Sequence, residues 1–182
     1  MKKAALLIDN SNFYHSLKDS RRLPFPPADY GKLFSLLSEQ FGFDLKIVCL
    51  YDAVKDSSKE KSQYAQQQKF HSGIRALSAK WPVTIKTRKL KYRPFGREFI
   101  PEEKGVDVLL VVDAITLALS GEIETIIVLS GDADFVPLIE FLKTRKVETV
   151  NLHLYSGSST ELRQACDSHI LITFQDSTLM LK

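Results

Sequence analysis

Residues 125–145 read TIIVLSGDADFVPLIEFLKTR. The opening TIIVL is apolar without alternation, the composition of a strand buried on both faces. A small turn follows, carrying Asp132 and Asp134 one residue apart. FVPLIEFLKTR (135–145) then has helical spacing, with Pro137 suited to a first turn and Lys143 and Arg145 to a C-terminal end. A strand covered on both faces needs a layer on either side, so this strand, turn and helix decide the fold class.

The same alternation runs outward through the chain. AALLI (4–8), LKIVCLY (45–51), VTIKTRKL (83–90) and ETVNLHLY (148–155) have strand composition. YGKLFSLLSEQF (30–41) places Leu33, Leu36, Leu37 and Phe41 on one helical face, and 57–80 holds a single stripe of Phe70, Ile74 and Leu77 in a largely solvated helix. Residues 105–120 suit a buried strand or a buried helix, and their length favours the helix. GSSTELRQAC opens with a capping-box spacing from Ser158 to Glu161. RRLPFPPADY, with three of the seven prolines, reads as a rigid surface loop. The expectation is an α/β fold, three layers α/β/α, with a mostly parallel sheet. Such sheets bind ligands at the carboxyl ends of their strands, near a topological switch point.

Composition narrows the class. The 182 residues fit one domain spanning 1–182, and 44% apolar with 26% charged residues is an ordinary globular balance. No uninterrupted apolar run is long enough for a bilayer, since GVDVLLVVDAITLALSG is broken by Asp107 and Asp113. MKKAALLIDN begins like a signal peptide, but its apolar run is short and meets an aspartate, so it reads as the first strand. Cys49 and Cys166 are far apart in apolar surroundings and read as buried thiols, which fits a reducing cytoplasm. The net charge of +3 decides little about partners.

The acids carry more. The strand ending at Ile8 is followed by DNSN (9–12) and that ending at Leu129 by SGDAD, so both groups lie at carboxyl ends of buried strands. Asp107 falls in the first turn of the helix opening at KGVD. Capping is the ordinary explanation for an aspartate there, and Asn10 and Asn12 can simply begin the helix NFYHSLK. Against capping throughout stands the repetition of carboxylates at strand ends. If Asp9, Asp107, Asp132 and Asp134 converge to ~6 Å at an effective dielectric of ~20, each like pair costs roughly 3 kcal/mol. A divalent cation supplies the counter-charge, and an all-oxygen donor set suits Mg²⁺ or Mn²⁺ rather than Zn²⁺. His15, His71, His153 and His169 lie in different elements with no ligand spacing. Asp113 stands about 120° around an ideal helix from Asp107 and is assigned a structural or supporting role.

LLIDNSN, EKGVDVLLVVDA, VLSGDADFVPLIE and SSTELRQACD, in that order, resemble an NYN domain of the LabA-like group within the PIN-like nuclease superfamily. The resemblance spans essentially the whole chain. It implies a PIN-like Rossmannoid sheet in strand order 3-2-1-4-5, which sets Asp9 beside Asp132 and Asp134. It implies that Asp9, Asp107, Asp132 and Asp134 bind the metal, with Asn12 a polar contact near the metal or scissile phosphate, Asn10 supporting, and Ser130 and Gly131 forming the turn that presents the pair. Related domains act as metal-dependent ribonucleases.

KWPVTIKTRKLKYRPFGR (80–97) holds seven basic residues and no acid, interleaved with Trp81, Tyr92 and Phe95. Basic groups engage phosphates and aromatic faces stack on unpaired bases, so Lys86, Arg88, Lys89, Lys91, Tyr92, Arg93 and Arg97 form a candidate surface for single-stranded RNA. An edge strand protected by lysines has the same look. The basic residues fall on both faces of any strand, so part of the ribbon must project past the sheet.

Three other readings compete with a nuclease. DADFV fits the D-x-D-x-[TV] pattern of haloacid-dehalogenase phosphatases, but comes late in the chain. A Toprim-like module has a glutamate where this chain has Asp9. A non-catalytic module would keep the acids and bind RNA or protein without cleavage. The sequence leaves RNA against DNA, and a homo-oligomer or protein partner, open.

Overall fold

The computed structural model describes residues 1–96, 98–175 and 178–182, so the expectation for Arg97 lies outside the described residues. The first strand, β1 (Lys2–Asp9), is buried from Ala4 onward. It leads into α1 (Asn10–Asp19), α2 (Pro27–Phe41), β2 (Phe43–Val54), α3 (Lys61–Ala76) and β3 (Val83–Lys89). A hairpin of β4 (Lys91–Phe95) and β5 (Glu98–Glu102) follows, then α4 (Val106–Ser120), β6 (Thr125–Leu129) and α5 (Val136–Thr144). β7 (Glu148–His153), α6 (Thr160–Ala165), β8 (Ser168–Gln175) and β9 (Thr178–Leu181) complete the chain.

Among the described residues the main sheet has seven strands in the order β3-β2-β1-β6-β7-β8-β9. All neighbours are parallel except β8 and β9. The five strands expected from sequence keep the expected order, because β6 and β7 are the fourth and fifth of them. β8 and β9 extend the sheet beyond that expectation. Alternate side chains of β1 divide between two cores. Ala4, Leu6 and Ile8 join Phe13, Leu17, Leu33, Phe34 and Leu37 on the side of α1 and α2. Ala5 and Leu7 join Leu110, Ala114, Leu138, Ile139 and Leu142 on the side of α4 and α5. Burial on both faces is why β1 and β6 show no alternation.

The ambiguous stretch 105–120 is a helix. Val106, Leu110, Ala114 and Ala118 form its buried face, a helical rather than a strand period. Gly105 precedes it with φ 78°, a left-handed conformation that favours glycine. The proline-rich loop is less superficial than its composition suggests: Phe25 is buried, edge-on to Phe13 and Tyr30. The cap of α6 lies one residue later than the capping-box reading, since Ser159 Oγ accepts from Leu162 N while Ser158 faces His153 and Arg163. Cys49 and Cys166 are free and buried. Among the described residues no helix is long and apolar enough to cross a membrane.

Candidate acidic site

β1 is the switch point, because the chain adds β2 and β3 on one side of it and β6 and β7 on the other. Ile8 pairs with Leu129, so the residues that leave the two strands, Asp9 and Ser130, meet side by side. Ser130 Oγ donates to Asp9 Oδ2 at 2.9 Å and accepts from Asp132 N at 3.1 Å. Asn12 N donates to Asp9 Oδ1 at 3.1 Å, and Asn12 Oδ1 accepts from Gly131 N at 2.8 Å. One network therefore ties the start of α1 to the turn after β6. Gly131 has no room for a side chain: a Cβ there would stand 1.7 Å from the carbonyl oxygen of Gly157.

Capping and clustering turn out to be compatible. Asp9 caps α1 through Asn12 N, and Asp132 Oδ1 accepts from Asp134 N at 2.9 Å, capping a short 3-10 turn. Asp107 does not cap: α4 begins after Gly105 with no side-chain cap. Asn10 Oδ1 accepts from Tyr30 OH at 3.0 Å, which places it behind Asp9 as a buried support.

The charges press on one another. Burial raises the Asp9 carboxyl from 3.8 to about 6 against the opposing hydrogen bonds from Asn12 and Ser130, and Asp107 and Asp132 raise it further. Burial also raises Asp107, with Asp132 and Asp134 adding to it. The structure thus brings the four expected aspartates into one field. Among the described residues none of the four has a Lys or Arg ion-pair partner. Nor do three His, Cys, Asp or Glu side chains there stand ready to grip a metal ion. The donor set fits a hard divalent cation in chemistry and in missing counter-charge, while closing around one requires side-chain rotation.

Because folding raises the Asp9 carboxyl above its unfolded value, its ionisation costs stability. That cost is absent below about pH 4 and complete above about pH 6. The difference between 3.8 and about 6 sets an upper bound of about 3 kcal/mol. We expect metal-free Asp9→Asn to be more stable than wild type at pH 8, the advantage disappearing toward pH 4. Urea titrations at the two pH values check this, and a gain independent of pH would refute the burial cost.

Sequence reasoning missed two neighbouring acids. Glu103, in the turn between β5 and α4, is raised by burial and raised further by Asp9, Asp107 and Asp52. Asp52 is buried near the carboxyl end of β2, with its Oδ2 2.6 Å from His71 Nε2 and accepting from Gln67 Nε2 at 2.9 Å. The signal for Asp52 was its place at a third strand end. Asp113 faces elsewhere: it accepts from Tyr51 OH at 2.6 Å and pairs with Lys86 at 2.7 Å, bracing α4 against the sheet edge.

The basic ribbon divides in the same way. β3 is an edge strand, as the protective reading requires, and the rest projects as the β4–β5 hairpin. Lys86 is held by Asp113 and Arg93 by Glu102. Tyr92 OH donates to Glu60 and accepts from Asp56 N, fastening the hairpin to the body rather than offering a free ring. Arg88, Lys89 and Lys91 have no ion-pair partner among the described residues. The Arg88 guanidinium lies 3.7 Å from where a Cβ on Gly105 would sit, against the turn that leads to Asp107. On the hairpin the exposed aromatic rings are Phe95 and Phe99, at 70% and 55%, with Lys59 Nζ 3.9 Å over the Phe99 ring.

No curated protein matches the chain. Among solved structures, the crystal structure of VPA0982, a protein of unknown function from Vibrio parahaemolyticus, is similar with a TM-score of 0.67. The likeness covers 98% of this chain and 96% of that one at 22% identity, and it shows a shared fold. The NYN domain family matches residues 3–173, nearly the whole length. With its mostly parallel sheet, the chain belongs to the NYN domain family, within the PIN-like superfamily.

Proposed function

We propose that the protein is a metal-dependent ribonuclease that hydrolyses phosphodiester bonds of single-stranded RNA at the carboxyl ends of β1 and β6. The observation that carries this reading is the group of cation-free carboxylates of Asp9, Asp107, Asp132 and Asp134 in an NYN domain, with Asp9 and Asp107 raised by burial and by their acidic neighbours. Asp9 is set by Asn12 N and Ser130, and Asp132 by its place after the Gly131 turn. These aspartates would hold Mg²⁺ or Mn²⁺, which when bound lowers the pKa of a water and neutralises phosphate charge. With Asn12 Oδ1 committed to Gly131 N, its amide nitrogen is the donor left for a phosphate oxygen. Arg88 stands against the turn that leads to Asp107, Lys89 and Lys91 would extend its positive charge along the ribbon, and Phe95 offers an exposed ring for unpaired bases.

Two measurements test the reading. Millimolar Mn²⁺ should raise the melting temperature, since an ion bound by the native state alone stabilises it, by ~2.7 kcal/mol at a hundredfold excess over Kd. No shift would count against the site. Replacing Lys89 and Lys91 together by alanine should reduce the slope of log K against log salt for a single-stranded RNA by about 1.4, two phosphate contacts' worth. An unchanged slope would return the ribbon to edge protection. A non-catalytic RNA-binding module is the second reading, favoured by the need for side-chain rotation around an ion. It predicts the salt effect without cleavage.

A further inference from the structure

α4 is apolar nearly all round: VDVLLVVDAITLALS holds no Lys or Arg and only Asp107 and Asp113 as acids. Val106, Leu110, Ala114 and Ala118 pack into the core on that side of the sheet. The outward face is apolar too. Val108, Val112 and Leu119 are exposed at 62%, 53% and 59%, and Ile115, half-buried, lies between the last two. These four positions step by four, three and four residues, so on an ideal helix they share an arc of about 60°, with Asp107 and Asp113 each about 100° or more from its centre. Alternating steps of three and four make the seam of a helix that packs along a second helix.

Charge and spacing narrow the occupant. A seam without Lys or Arg, on a helix whose charges are aspartates, is ill suited to phosphate, which disfavours RNA and an anionic lipid surface. The spacing also reads the same from either end. In an antiparallel pair of α4 helices about a twofold axis between Val112 and Ile115, Val108 meets Leu119 and Val112 meets Ile115. Each contact then sets a larger side chain against a smaller one. A parallel pair would set Val108 against Val108 and bring together two Asp107 carboxylates and like ends of two helix dipoles.

We propose that the outward face of α4 docks a second copy of this chain, in an antiparallel twofold contact through Val108, Val112, Ile115 and Leu119. An apolar strip of roughly a few hundred Å² has the size of a functional patch. It falls short of the ~800 Å² per partner of a standard interface, so the dimer is reversible and concentration-dependent. Because Asp107 opens the helix, the two acidic sites lie at opposite ends of the pair, about 20 Å apart along its axis. Metal plays no part in the contact.

The test is sedimentation velocity of the full chain over a concentration series, for wild type, Val108→Glu, Leu119→Lys, Val112→Glu and an equimolar mixture of the first two variants. Wild type should pass from monomer to dimer in the micromolar range. Each substitution should weaken dimerisation by about tenfold or more, since it buries a charge against an apolar partner. An acid at the start and a base at the end of α4 agree with its dipole, so Val108→Glu and Leu119→Lys should melt within a few degrees of wild type in dilute solution. Mixing the two should restore a dimer, with acid facing base at one end and the unaltered Leu119–Val108 contact at the other. Wild type that stays monomeric up to about 100 μM would overturn the proposal. A dimer indifferent to Val112→Glu, or a mixture no tighter than its components, would do the same. Wild-type monomer binding to phosphatidylcholine vesicles, abolished by Val112→Glu, would also overturn it by making the seam a lipid contact.

Discussion

Asp132→Asn is expected to lose Mn²⁺-dependent cleavage of single-stranded RNA by about two orders of magnitude or more while remaining folded. The two halves of this expectation have separate causes. The substituted amide has an oxygen where Asp132 Oδ1 accepts from Asp134 N, and the backbone N that donates to Ser130 Oγ is untouched, so the turn keeps its bonds. What disappears is the negative charge that acts on both Asp9 and Asp107. The metal-free variant should therefore melt no lower than wild type, because like-charge repulsion is relieved. Cleavage should be followed on a labelled RNA with Mn²⁺ and with chelator. Equal activity in variant and wild type would leave the protein a binding module, and equal trace activity with chelator present would mark a contaminant.

Gly131→Ala is expected to be the most damaging single methyl group in the molecule. The new Cβ would stand 1.7 Å from Gly157 O, 2.7 Å from Gly157 C and 3.0 Å from Ser158 Cα, all backbone atoms of the loop before α6. A flexible side chain could rotate away, but this loop is held by Ser159 N donating to Gly131 O at 2.9 Å. Overpacking against a fixed backbone should cost about 3 kcal/mol or more. The displaced turn also carries Asp132, so Mn²⁺ binding should weaken in whatever fraction folds. Chemical denaturation and Mn²⁺ titration measure the two effects. A variant within ~0.5 kcal/mol of wild type would mean the loop yields easily, contrary to the contact described.

Much of the fold was legible because burial on both faces leaves a mark on composition. β1 and β6 read as non-alternating apolar runs, and their neighbours could be ordered once the motifs suggested a family. β8 and β9 were missed. β8 lies next to the edge strand with several half-exposed residues, and β9 has only four residues, too few for a periodic signal. The β4–β5 hairpin was legible only as a ribbon that had to leave the sheet. Within the site, Asp9, Asp107, Asp132 and Asp134 stood out by position at strand and helix ends, but Glu103 looked like one polar residue in the polar run EEK. Glu102 and Glu103 are identical in type and adjacent. Only the direction of the chain there pairs one with Arg93 and Lys104 and leaves the other without an ion-pair partner among the described residues.

The sequence by itself determined the layered α/β class and the set of aspartates worth watching, because each follows from local periodicity and from short-range position, while for 105–120 its length favoured a helix over a buried strand. Tertiary structure alone decided which charges feel one another. It set Asp9 against Asp107 and Asp132, separated Asp113 toward Lys86, and turned Tyr92 from an available ring into an anchor. Coulomb energy depends on distances in space and on burial. Residues 9, 103, 107 and 132 acquire a common field only after β1 and β6 have paired and α4 has packed across the sheet.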